Sequence, residues 1–460
     1  MSNEHPSASG RWPSYVTAGP FIFFSGQMGR AQDGALITRY ADAPNAGSRA
    51  NTTFDWISDM EAPVGAQGVA IYERYREMLG NENSGLGHLL RYHIYQRDKH
   101  FFSVFDRIRR TYETAPPAST AVGMGRFEPQ DRATLCIDAI ALRASAEKSL
   151  GARTVMPGAA RHVAAATFSH VVRAGHFLFL AGQIPIDTSK PGSPLIRNYD
   201  DIPEEGRFLR VGRSHEDTRN GPIAAQTWFT YDLIRQHLEA AGSSMDQILN
   251  LIVYLQDMRD FPTFHRVHEQ FFKAKPPALT VVEVGEVGHK GTLIEIEPTA
   301  ILPACGVERK VIEPPGWRAP AHMSAGVSAG GLAFFSAVTG ADESGRPVEL
   351  SESMRAKLKG PLSGVSNGSP YALQTVSAAS ALIRHLEAAG AKLSDIAHLT
   401  VYLDDITQLE AVERALGQAF GAWRPALTVL EVPAPAPLLG ARVSLTGIGW
   451  LGEAKMGAVF

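Results

Sequence analysis

The feature that most constrains this chain is that it repeats itself three times. HLEAAG occurs at 237–242 and again at 385–390, each time closing an amphipathic segment. VYLQD (253–257) and VYLDD (401–405) follow, and then PALTV at 277–281 and 425–429. Matched words in one order at nearly one spacing mark a duplication, and repeats of this kind decide the fold before any local pattern does. The first third carries a more diverged copy: PPAST (116–120) stands where PPALT (276–280) stands in the second. FIFFSGQMG (21–29) likewise matches FLFLAGQIP (177–185) and LAFFSAVTG (332–340). Ser25, Ala181 and Ser336 fall 156 and 155 residues apart. That period is too long for a solenoid, whose units run to roughly 20–50 residues, so each copy is expected to be a small domain. The copies span 13–144, 169–302 and 323–450, with Ala/Gly/Pro-rich linkers at 150–161 and 308–320.

The second copy shows the internal order most clearly. HVVRAG-HFLFLAGQI reads as two short strands around a Gly turn, followed by a polar stretch to about 222. Trp228, Tyr231, Ile234 and Leu238 recur at helical spacing, and Gly242 is a natural stop. ILNLIVYL (248–255) is a buried strand, and Phe264, Val267 and Phe271 line a second helix. ALTVVEV and GTLIEIEPTAI close the unit as a strand pair. The predicted order is ββ-α-β-α-ββ, an α+β domain with two helices on one face of a sheet. Such a sheet leaves its other face uncovered, and three of them facing one another bury it. An intrachain pseudo-trimer is the predicted assembly.

Composition narrows the function. The 460 residues carry 44 Lys and Arg against 47 Asp and Glu, a net charge of −3, so no overall basic field attracts a phosphate backbone. Cys136 and Cys305 cannot build a disulfide framework and fit a reducing compartment. The polar start and the absence of long apolar runs point away from secretion and membrane insertion, so a cytoplasmic location is expected. Neither a phosphate-binding nor a dinucleotide-binding glycine motif is present.

These residues resemble the RidA (YjgF) family. The resemblance rests on SGQ (25–27), AGQIP (181–185), the AAG-ended helices, VYLQD and VYLDD, the PPAST/PPALT/RPALT series, and CIDAIA (136–141) with EIEPTA (295–300). It implies a homotrimer-type fold, here fused into one chain, with small-molecule clefts between the repeats. It also implies hydrolysis of enamines or imines without a metal or organic cofactor. In the family an Arg in the PPAR-S/T segment pairs with the substrate carboxylate, and the first Glu of EIEA handles water.

The copies have drifted unequally at those positions. Ser119, Leu279 and Leu427 replace the arginine, and the Glu position holds Cys136, Glu295 and Ser444. Glu295 is the leading candidate for proton transfer, against an alternating strand with one solvated face. Ser119 is a candidate donor to a substrate oxygen, and Cys136 a candidate nucleophile if a base adjoins it. Ser25, Gly26, Gln27, Gly182 and Gln183 are candidate cleft-lining residues, against a simple Gly bulge. Trp12 and Phe168 are candidate aromatic lids, against ordinary packing. The insert of the second copy (186–222) supplies Arg207, Arg210 and Arg213, candidates to replace the lost anion clamp. His265 and His268 share a helix face without a third ligand at a recognisable spacing, so no metal is expected. The reading is a cofactor-free hydrolase or deaminase acting on C=N or enamine bonds, with a small-molecule substrate and neither nucleic acid nor membrane as partner. It would work as a monomeric pseudo-trimer or a homodimer of one. The competing reading is a non-catalytic binding or scaffold protein with decayed sites.

Overall fold

In the computed structural model, residues 12–44, 60–130, 132–159, 167–317, 322–341, 345–348, 369–452 and 454–456 are described. The first repeat runs β1 (Tyr15–Ala18), β2 (Phe21–Gln27), α1 (Ala62–Asn81), β3 (Leu89–Gln96), α2 (Phe102–Tyr112), β4 (Ala118–Gly123) and β5 (Leu135–Leu142). A short helix α3 (Glu147–Leu150) and strand β6 (Thr154–Val155) lead onward. The second repeat has β7 (Val171–Ala174), β8 (Phe177–Leu180), α4 (Ser214–Ala240), β9 (Ile248–Leu255), α5 (Phe261–Phe271), β10 (Ala278–Glu283), β11 (Glu286–Val287) and β12 (Ile294–Ile301). Strand β13 (Lys310–Ile312) precedes the third: β14 (Gly326–Ala329), β15 (Leu332–Thr339), α6 (Pro370–Ala388), β16 (Ile396–Leu403), α7 (Leu409–Ala419), β17 (Ala426–Glu431) and β18 (Val443–Trp450). A final strand, β19, spans Ala454–Met456.

The three sheets share one order: β4-β3-β5-β2-β1, β10-β9-β12-β8-β7 and β17-β16-β18-β15-β14. The expected α+β repeats are therefore present, with one difference in pairing. The last two long strands of a unit do not pair with each other. β10 pairs in parallel with β9, and β12 runs antiparallel on the other side of β9. Parallel neighbours need a crossover connection, and α5 provides it, leaving the free edge of β9 for β12. The SGQ segment is a bulge: the β2–β5 register shifts between Phe24 and Gln27, and β15–β18 shifts between Phe335 and Val338.

The insert of the second repeat is also more ordered than its sequence suggests. Tyr199 and Ile202 are buried in the second repeat's core, and α4 begins at Ser214 and runs through Pro222. Asp217 accepts the backbone N–H groups of Val211 and Gly212 at 3.0 and 2.9 Å, which fixes the approach to that helix.

Each pair of long helices covers one face of its own sheet, giving three separate apolar cores. The opposite faces meet at the centre. One central cluster gathers Phe21, Phe23, Leu90, Phe177, Phe179, Leu332 and Phe334 from all three repeats. A second gathers Tyr95, Tyr254 and Tyr402, which occupy the same position on β3, β9 and β16. At the junctions β4 lies against β8, β10 against β15, and β17 against β2.

Edge strands close the ring. β6, lying between the first two repeats, pairs with β7, and β13, between the second and third, pairs with β14. β19, following the third repeat, pairs antiparallel with β1 of the first, Val16 opposite Met456. The same device thus covers the outer edge of every sheet. Truncation after Gly452 removes β19 and is expected to cost about 1–2 kcal/mol, from the loss of a few net hydrogen bonds, measured as a lower urea midpoint with an unchanged far-UV spectrum.

Candidate functional site

The three junctions are built alike, and their differences single one out. A threonine on each entering strand reaches the next repeat's closing strand. Thr280 bonds Thr446 at 3.1 Å, Thr428 bonds Asp138 at 2.8 Å, and Thr120 bonds Glu297. At two junctions a serine of the bulge fastens the entering strand. Ser25 Oγ accepts the Leu427 N–H at 2.8 Å and donates to the Pro13 carbonyl at 2.5 Å. Ser336 Oγ accepts the Leu279 N–H at 2.8 Å. At the first–second junction Ala181 has no hydroxyl, and the Gly182 N–H instead meets the Ser119 carbonyl at 3.2 Å and Thr120 Oγ1 at 3.0 Å.

Glu295 lies at this same junction. It is buried, on β12, and its carboxylate packs on Gly182: a Cβ there would fall 2.1 Å from Glu295 Oε1. Gly26 has the same relation to Cys136, with a Cβ falling 2.7 Å from Sγ. The glycines of SGQ and AGQ therefore leave room for the residue at the family's Glu position. Burial lifts the Glu295 carboxyl to about 7; Lys99, the Ala121 N–H and His93 favour its ionised form, whereas the Glu297 charge opposes it. Lys99 and Ala121 belong to the first repeat, so the environment of Glu295 is shared across the junction.

Two cationic residues at this junction lie outside the family motifs. Arg109 on α2 is fully buried and donates to Ser119 Oγ at 3.3 Å and to Tyr92 at 3.5 Å. It also pairs with Asp106 and donates to Thr167. A guanidinium thus stands beside Ser119, where the family arginine is missing. Phe105, Ile108, Arg109 and Tyr112 form one helical stripe, so an arginine within an apolar stripe was the available signal. Lys99 is the other: aligning the repeats sets it against Met258 and Ile406.

Behind the junction runs a buried charge chain. The His93 ring lies between Asp138 of its own repeat, at 2.5 Å from Nδ1, and Glu297 of the second repeat, at 2.9 Å from Nε2. Both nitrogens therefore donate, and the two carboxylates outweigh burial to raise the imidazolium pKa to about 9. Arg91 pairs with Glu297 at 3.1 Å and donates to Thr299 at 2.9 Å. Asp138 accepts Thr428, whose hydroxyl contacts His398 Nε2 at 3.1 Å, which carries the chain into the third repeat.

The remaining sequence candidates are placed as follows. Cys136 is buried, and burial with the Asp138 charge pushes its thiol pKa well up, keeping it protonated. Gln27 and Gln183 donate to the carbonyls of Ser25 and Ala181, each at 2.9 Å. Trp12 is buried in the third repeat's core, with the Arg424 guanidinium 5.1 Å from its ring centroid. Phe168 packs edge-to-face on His170. Arg207 bonds the Ile202 carbonyl, Arg210 pairs with Asp200 and Arg213 with Glu216, all beside their own insert. His268 is buried between Tyr231 and the His322 carbonyl, and burial lowers it to about 3. Among the described residues no group of three or more His, Cys, Asp or Glu could hold a metal, and no helix is long and apolar enough to cross a membrane.

The pattern that defines the endoribonuclease L-PSP family matches residues 159–302 and 318–443, more than half of the chain. The protein belongs to this family, also known as the RidA (YjgF) family. A RutC family protein of Pyrococcus horikoshii is 35% identical over 133 residues, 29% of this chain and 85% of the relative. The 3-aminoacrylate deaminase RutC of Acinetobacter baylyi is 29% identical over 119 residues, 25% of this chain and 94% of its own. The solved YjgF gene product of E. coli is 24% identical, covering 32% of this chain and 97% of that one, with a TM-score of 0.24. In each comparison the relative spans about one repeat.

Glu297→Gln is expected to cost about 3–5 kcal/mol, because it strands Arg91 and His93 without their shared carboxylate. The pH dependence has a fixed sign. His93 titrates at about 9 in the fold against 6.5 ordinarily, so its contribution is complete below 6.5 and lost as pH rises through 9. Urea titrations of the parent protein are expected to show the midpoint falling from pH 6.5 to 9, with that fall reduced in Glu297→Gln.

Proposed function

We propose that the protein hydrolyses C=N or enamine bonds of a small molecule at the junction of the first and second repeats, with Glu295 moving the protons. The observation that carries this reading is the state of Glu295: a buried carboxyl, raised to about 7, packed on a glycine between two repeats. A group titrating near neutrality is suited both to take a proton and to return it. Acting first as base, Glu295 removes a proton from water as oxygen attacks the carbon of the protonated imine and the C=N π pair moves to nitrogen. Acting then as acid, it protonates the nitrogen; an oxygen lone pair closes C=O as the C–N bond breaks, the amine leaves, and the hydroxyl proton returns to Glu295. An enamine reaches the same intermediate after protonation at carbon.

The other two junctions offer different chemistry. Cys136 is a protonated thiol under Gly26, and the second–third junction has Ser444 at the corresponding position, with Leu279 on the entering strand. Among the three residues at the family's Glu position, Glu295 alone is a carboxyl, and Lys99 and His93 of the neighbouring repeat act on it. Membership of a family that includes a 3-aminoacrylate deaminase supports the reaction class. The chain's net charge of −3 does not favour a polyanionic substrate.

Glu295→Gln is expected to lower kcat for ammonia release from a 2-imino acid, generated in situ from its amino acid, by about 10²–10⁴-fold. Wild-type activity is expected to show a pH limb near 7, absent in the variant. Unchanged turnover in Glu295→Gln would overturn the reading and leave a binding role. Gly182→Ala, which places a methyl against the carboxylate, is expected to lower activity at full structural content by circular dichroism.

A further inference from the structure

We propose that Lys99 is an amine nucleophile of the first–second junction, condensing with aldehydes and 2-oxo acids to form a Schiff base while Glu295 moves the protons. The inference rests on the reading of Glu295 just given, and extends it to a covalent step on the neighbouring repeat.

The geometry begins with what the first repeat gives up. In the second repeat the Met258 N–H is held by Glu283 at 2.8 Å, and in the third the Ile406 N–H is held by Glu431 at 2.8 Å. The corresponding position of the first repeat is Gly123, which carries no carboxylate. Its missing side chain admits β11 of the second repeat, which pairs Glu286 with Gly123, where a Cβ would fall 2.8 Å from that of Glu286. Lys99, replacing the apolar Met258 and Ile406, turns toward β4 and donates to the Ala121 carbonyl at 2.5 Å.

Glu295 takes the N–H of that same Ala121. The N–H and C=O of one strand residue point to the same side, so amine and carboxyl both face the outer edge of β4 just ahead of β11. Lys99 is half-buried, with its Nζ 5.6 Å from the Phe102 ring centroid, so its stem lies along apolar surface. Burial lowers the ammonium pKa, opposed by Glu295 and Glu286, and the same burial holds Glu295 near neutrality. The groups whose charges act on Glu295 also include Glu297 and His93. A desolvated lysine beside a proton-holding carboxyl is the arrangement that carbonyl condensation requires.

The step balances without a further reagent. The Nζ lone pair attacks the carbonyl carbon, the C=O π pair moves to oxygen, and the Glu295 carboxyl protonates that oxygen. The nitrogen returns a proton to Glu295, giving a neutral carbinolamine. Glu295 then protonates the hydroxyl, water leaves, and the nitrogen lone pair closes the C=N bond. With an imine in place of the carbonyl compound, the same sequence expels ammonia or an amine.

The test is reductive trapping on the full chain with pyruvate and cyanoborohydride, mapped by peptide mass spectrometry. The expected result is a reduced adduct on Lys99 at least about tenfold above that on the exposed Lys148 and Lys190. Lys99→Arg, which keeps charge and bulk, is expected to remove it, and Glu295→Gln to slow its formation. An adduct absent from Lys99, or spread evenly over exposed lysines, overturns the inference even if hydrolysis depends on Glu295. Conversely, an adduct on Lys99 with hydrolysis insensitive to Glu295→Gln supports the amine and overturns the role given to the carboxyl.

Discussion

The structure depends on one protonated ring. His93 stands between a carboxylate of its own repeat and a carboxylate of the next, and burial withholds water from both acids. An ion pair taken wholly out of water gains only when its geometry and its remaining hydrogen bonds are complete. Here they are nearly so: Asp138 also accepts Tyr95 and Thr428, and Glu297 also takes Arg91 and Thr120. The chain of contacts passes through all three repeats. It lies between the two central apolar clusters, where purely apolar contact would leave the relative rotation of the sheets less defined.

That chain explains how a threefold plan carries an asymmetric distribution of charge. At the inward position holding Asp138 and Glu297, the third repeat has Thr446, and its junction is joined by two hydroxyls instead of charges. At the position holding Arg91, the other repeats have Asn250 and His398. In a homotrimer every substitution is imposed three times over, so a cation facing a carboxylate must recur at each interface. Fusion removes that constraint. The first repeat carries the cations Arg91, His93, Lys99 and Arg109, while the second supplies Glu295 and Glu297. Complementary charge gathers at their shared junction, and the negative charge of Glu297 helps keep Glu295 protonated.

The ring also explains why the linkers are more than tethers. β6, β13 and β19 each add an outer strand to the sheet of the following repeat, with the last returning to the first. β11 does the converse, leaving the second repeat to extend the sheet of the first beside Gly123. A missing side chain at one residue thus joins two sheets and opens the edge where Lys99 and Glu295 meet.

The sequence alone determined the number of repeats, their element order and the class of fold, because duplicated words and apolar periodicity are local properties. It also singled out Glu295, since comparison of the copies shows where a carboxylate survives. Arg109 and Lys99 were legible only as oddities, an arginine in an apolar stripe and a lysine opposite Met258 and Ile406. Their meaning depends on strand residues 10 and 196 positions away, Ser119 for Arg109 and Glu295 for Lys99. The insert arginines illustrate the reverse: composition suggested an anion clamp, and packing gave each a partner in its own insert. Tertiary structure alone decided which junction gathers the charges, because desolvation and Coulomb energy depend on distances across repeats that no spacing along the chain encodes.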